Sequence, residues 1–118
     1  MTAGKEFDGK VSEMRDSPWL ASEDVLDVGG EVTLTIARCR KHENVEFEAG
    51  RTEPTVYTVE FKGAEKQMIL NSVNRKSLAA LCGRDVGGWT GKRVCVYVDP
   101  NVRMMGKVVN GLRIRAAK

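Results

Sequence analysis

Cys39 and His42 are the nearest thing in this chain to a nucleophile beside a base. A thiol attacks as its thiolate, and acyl transfer also needs donors that hold an oxyanion. The stretch Cys39-Arg40-Lys41-His42-Glu43 carries neither an oxyanion motif nor an apolar pocket signature, so the pair reads as incidental. His42 is the only histidine, and Cys39, Cys82 and Cys95 have no CxxC spacing. That set does not make a zinc site, and three scattered cysteines read as buried free thiols of a reducing compartment. The loop Gly83-Arg84-Asp85-Val86-Gly87-Gly88 lacks the G-x-x-x-x-G-K-[ST] order that cradles phosphate. No catalytic residue, metal or cofactor is expected.

Cations and aromatic rings remain. Residues 1–61 hold 7 Lys/Arg against 13 Asp/Glu, a net −6, whereas residues 62–118 hold 12 against 3, a net +9. Such asymmetry hints at a polyanionic partner, although two halves that fold together can also mix their charges on one solvated surface. Binding a single polynucleotide strand needs a basic groove for phosphates and aromatic faces for bases. The candidates are Tyr57, Lys62, Lys66, Trp89, Arg93, Tyr97, Arg103, Lys107, Arg113 and Arg115. Each has a plainer alternative. Tyr57 shares a strand face with Val59 and Phe61 and can be core. Any of the arginines can be an ordinary solvated strand residue. Trp89, between Gly88 and Gly91, can stack on a base or plug one end of the core.

The elements that would position them follow from hydrophobic period. A length of 118 residues with 42% apolar and 30% charged content suits one globular domain. Residues 1–16 are polar and without period, and are expected to form a flexible arm before a domain spanning 17–118. That arm has no apolar h-region, so no secretory signal is expected, and no apolar run is long enough to span a bilayer. Trp19 and Leu20 are expected to cap one end of the core. Val32, Leu34 and Ile36 alternate with polar residues, predicting a first strand over 31–38. The segment 40–54 reads as a polar loop in which Val45 and Phe47 can extend a strand. A second strand is predicted over 55–61 and a third over 66–70. A helix capped by Asn71 or Asn74 follows, with Val73, Leu78 and Leu81 on its core face and Gly83 at its end. A fourth strand covers 92–98. The tail reads as a hairpin, Val102–Val109 and then Leu112–Arg115, turning at Asn110-Gly111.

The order β-β-β-α-β-β matches the five-stranded Greek-key barrel called the OB-fold, an all-β architecture with one helix. The runs LNSVNRKSLAALCGRDVGGWTGKRVCVYV and GKVVNGLRIR also resemble a family of small phage and prophage proteins regarded as single-stranded-DNA-binding-like. Leu70-Asn71, Asn74, Leu81, Gly83, Trp89, Gly91-Lys92, Gly106-Lys107 and Gly111 to Arg115 fit that family's pattern, while the loop 85–88 is less acidic than the pattern. The resemblance covers about residues 17–116 and implies a non-catalytic OB-fold module in the cytoplasm of a bacterial host. It would bind single-stranded DNA with low sequence specificity, alongside phage or host replication and recombination proteins. The alternative is a protein-interaction or assembly module, such as a homo-oligomer, that keeps the barrel without a nucleic-acid ligand. Exposed Met104 and Met105 would suit that alternative.

Overall fold

A computed structural model describes residues 4–47 and 50–117. The chain is mostly β, 46% of it in strands, with one main helix. A short helix α1 (Ser22–Leu26) precedes β1 (Glu31–Glu46), β2 (Thr52–Phe61) and β3 (Met68–Ile69). Helix α2 (Ser72–Cys82) leads through a 3-10 turn (Val86–Trp89) into β4 (Arg93–Met104) and β5 (Lys107–Ala116). The strands form one antiparallel sheet in the order β3-β2-β1-β4-β5.

The first strand is twice the length predicted. It runs into the segment expected to be a loop as far as Glu46, with Val45 extending the strand as expected and Phe47 just beyond its end. Strand β2 begins early, at Thr52, to pair with it. The polar residues there face water from a two-stranded ribbon, which asks for no apolar alternation. A bulge between Ile36 and Arg38 bends β1, so that residues 31–35 pair with β4 and the rest with β2. Ile36 is held at the bend by its N–H to the Lys92 carbonyl (2.9 Å) and by its carbonyl to the Gly91 N–H (2.8 Å).

The sheet does not close. Among the described residues β3 pairs only with β2, at Thr58–Ile69 and Val59–Met68, and β5 only with β4. Gln67, just before β3, pairs with the segment 18–20, its N–H to the Pro18 carbonyl (3.0 Å) and its carbonyl to the Leu20 N–H (2.7 Å). The closed barrel expected from the element order is absent. Helix α2 packs against β5 instead, with Asn74 Nδ2 donating to the Leu112 carbonyl at 3.0 Å.

The terminal hairpin turns at Met105-Gly106, not at Asn110-Gly111. Both residues have positive φ, 51° and 79°, which is the geometry of a two-residue hairpin loop that matches strand twist. Asn110 and Gly111 lie inside β5. The glycine serves packing: a Cβ there would meet Val102 Cγ2 at 2.7 Å, because a bulge between Asp99 and Val102 lays Val102 over it.

The core gathers Val25, Ile36, Val59, Phe61, Met68, Leu78, Trp89, Val94, Val96 and Ile114. Each such side chain contributes about 1.5–3 kcal/mol through removal from water. Asn71 caps α2, its side chain accepting from the Asn74 N–H at 2.9 Å. The helix buries Asn74 and Leu78, while Val73 (47% exposed) and Leu81 (41%) look outward, contrary to the predicted core stripe. Leu20 packs against the core as expected. Trp19 does not; its ring meets His42 edge-on at 5.5 Å and Phe47 at 6.2 Å.

Candidate nucleic-acid interface

Register decides which candidates share a face, since directly opposed residues of an antiparallel pair point the same way. On β4, Arg93, Cys95 and Tyr97 alternate with core residues Val94 and Val96. Thr35, Thr33 and Glu31 of β1 lie opposite them, and Arg115 and Arg113 of β5 oppose Cys95 and Tyr97. Alternation along β5 continues this face to Lys107 at the hairpin end. Arg93, Tyr97, Arg113 and Arg115 therefore lie on the outer face of the β1–β4–β5 half-sheet, with Lys107 on the same side of the hairpin beyond the end of β1.

The centre of this face is an aromatic–cation pair. The Arg115 guanidinium sits 4.7 Å above the Tyr97 ring and also pairs with the Glu31 carboxylate. Glu31 thus takes up part of that charge. Arg93 and Arg113 form no ion pair among the described residues, and Arg113 Nη1 donates to the Leu112 carbonyl at 3.0 Å. The carboxylate of Asp99 borders the face beside Gly111. Arg93 and Arg113 can meet phosphates as they stand, whereas a base could stack on the half-buried Tyr97 ring only where the Arg115 guanidinium swings aside from it.

The remaining candidates are placed elsewhere. Arg103 opposes Val108 and so looks to the other side of the hairpin. Tyr57 is 49% exposed, but on the side of the β1–β2 ribbon that carries Val59 and Phe61, next to Lys41. Lys62 is exposed where its N–H meets the Thr35 carbonyl at 2.8 Å, near the Arg93 end of the face. Lys66 is a fastening for α1: its ammonium lies 2.8 Å from Asp24 Oδ1, with both side chains largely covered. Trp89 is only 3% exposed, and its indole N–H donates to the Gly83 carbonyl at 2.8 Å. Of the two readings open for Trp89, the plug is the one its packing fits; no ring face is presented to a base.

Cys39 and His42 lie on opposite sides of β1, so they do not form a couple. Cys39 opposes Val59 and packs on the core, and burial pushes its thiol pKa up. His42 Nε2 lies 2.9 Å from Thr58 Oγ1 and 3.1 Å from Gln67 Oε1 beneath Trp19. Among the described residues no three His, Cys, Asp or Glu side chains gather as metal ligands, and no helix is long and apolar enough to cross a membrane.

Two features were not legible in the sequence. A cleft of about 530 Å³ lies between Trp19, Phe47, Arg15 and Arg51, with Asp16 and Glu46 also lining it. A second, of about 650 Å³, lies on the outer side of α2. Each unites segments far apart in the chain or on a helix face with no apolar period. Compared with protein-family models, curated proteins and solved structures, the chain matches none of them.

Proposed function

We propose that the chain is a non-catalytic module that binds single-stranded DNA with little sequence preference, built on an OB-type sheet left open between β3 and β5. The observation that carries this reading is the outer face shared by Arg93, Tyr97, Arg113 and Arg115, with Lys107 on the same side farther along the hairpin. The strand order, the bent β1 shared by both half-sheets and the helix between β3 and β4 support the OB-type assignment. Resemblance of residues 68–115 to phage single-stranded-DNA-binding-like proteins points the same way, and with it to replication or recombination proteins as partners.

Anisotropy of a fluorescein-labelled oligothymidylate tests the reading. The expected result is saturable binding at micromolar protein that weakens as salt rises. Reversing Arg93 and Arg113 to Glu lowers the slope of log K against log salt by about 0.7 for each phosphate no longer neutralised. Absence of saturable binding, or affinity indifferent to that double reversal, rejects it.

A second reading, an assembly module without nucleic acid, draws on the hairpin tip. Met105 is 96% exposed there, with Met104 and Val108 exposed beside it. A stable oligomer in light scattering, together with no oligonucleotide binding, selects this one.

A further inference from the structure

The groove on the outer side of α2 has a different chemistry from the β1–β4–β5 face. It is lined by Arg75, Lys76, Ala79, Ala80, Arg84 and Val86, with Trp89 at its base. Residues 75, 76, 79 and 80 recur at the spacing that puts them on one side of a helix, away from buried Asn74 and Leu78. The floor is aliphatic and shallow, because Ala79 and Ala80 leave room where larger side chains would fill it. Three cations stand around that floor, no carboxylate lines it, and none of the three forms an ion pair among the described residues.

We infer that this groove binds an acidic peptide segment of a partner protein, one whose carboxylates are interspersed with bulky aliphatic or aromatic side chains. Charge complementarity selects the anion: Arg75 and Arg84 can each grip a carboxylate with two parallel N–H donors, and Lys76 adds a point charge. The apolar floor selects the interspersed side chain, which would leave water by covering Ala79, Ala80 and Val86. A polynucleotide is the poorer fit. Its bases gain most from aromatic faces, and the one ring here, Trp89, is buried to its edge and engaged with Gly83. The site lies apart from the proposed DNA face, so one module could hold a strand and a partner at once.

The test uses three fluorescein-labelled peptides: alternating Asp and Leu, Asp alone, and alternating Lys and Leu. Anisotropy is read against the whole chain at low and moderate salt, with oligothymidylate as competitor. The Asp/Leu peptide is expected to bind saturably, and at least about tenfold more tightly than either control. Arg75→Glu with Arg84→Glu is expected to weaken it at least about tenfold while leaving oligothymidylate affinity unchanged. Ala80→Glu, a good helix former at an exposed position, gives the same loss by placing an anion on the floor. Far-ultraviolet circular dichroism confirms that both variants remain folded. The inference is overturned if the Asp/Leu peptide does not bind, or if Asp alone binds equally well. It is also overturned if the charge reversals change nothing, or if oligothymidylate displaces the peptide and loses affinity in the same variants. The last result would make the groove part of a nucleic-acid path.

Discussion

The indole N–H of Trp89 donates to the carbonyl of Gly83, tying the 3-10 turn before β4 to the residue that ends α2 at 2.8 Å. The ring is buried in the same core cluster as Leu78 and Ile36. Trp89→Phe should lose about 1 kcal/mol with the hydrogen bond, and Trp89→Ala about 3–5 kcal/mol with the cavity it leaves. Urea unfolding measures both. Oligothymidylate affinity of the folded Phe variant should equal that of the parent chain; a large loss would mean that the ring does reach a base.

Asn74 does for β5 what a neighbouring strand would do. Its Nδ2 satisfies the Leu112 carbonyl, while its Oδ1 is buried without a partner among the described residues. Asn74→Ala should cost about 1–3 kcal/mol, since it strands a buried acceptor. Hydrogen exchange should rise first along α2 and β5, the two elements it joins. Exchange that rises equally through the whole sheet would contradict this local role.

Lys66 has the charge for a phosphate, yet its geometry assigns it to α1. Lys66→Met removes the charge-assisted bond to Asp24 and should cost about 1–3 kcal/mol in chemical denaturation. Its oligonucleotide affinity should stay within error of the parent value at every salt concentration. A reduced salt slope would return Lys66 to the interface.

Ser12, through its hydroxyl and its backbone N–H (2.8 Å to Asp27 Oδ2), holds the Asp27 carboxyl below its ordinary value of 3.8. A carboxylate with a depressed folded-state pKa adds stability above its ordinary pKa and loses it as pH falls through the folded value. The turn Val11–Met14 should therefore stay anchored at neutral pH and detach only in acid, below pH 3.8. The Ser12 amide resonance, followed through an acid titration, should move with a midpoint under that value. Asp27→Asn should abolish the transition; a midpoint above 3.8 would show that the bond is not made.

Burial raises the thiol pKa of Cys39 and of Cys82 above the ordinary 9.0, and nearby Lys92 partly opposes the rise at Cys82. Iodoacetamide at neutral pH should label the native chain far more slowly than the urea-unfolded one, with Cys82 ahead of Cys39. Rapid labelling of native Cys39 would point to an activated thiol, which its place opposite Val59 does not provide.

Local chemistry determined the parts of this protein that the sequence announces. Val32, Leu34 and Ile36 alternate, and one buried face requires that alternation. Asn71 stands where a cap belongs, and Gly83 ends the helix at the place its backbone freedom suits. Element order followed from those signals. The outward direction of Arg93, Tyr97, Arg113 and Arg115 followed as well, because side chains on a pleated strand alternate whatever the strand pairs with.

Pairing and packing decided the rest. Along the ribbon of β1 and β2 beyond the core a polar residue of β1, His42, is covered opposite Val56 and beneath Trp19, so apolar periodicity alone could not distinguish it from a loop. Asn110-Gly111 has the composition of a tight turn, yet the glycine is there to admit Val102, laid over it by a bulge that no local signal marks. Register put Lys107 on the same side of the hairpin as Arg113 and Arg115, though at its tip, and turned Arg103 away. Packing across the fold assigned Lys66 to Asp24 and Trp89 to Gly83. The open edge between β3 and β5 goes with the pairing of Gln67 to the segment 18–20 and with a helix that takes the place beside β5. Residue type sets what each side chain can do alone; which side chains act together depends on distances that only the folded chain sets.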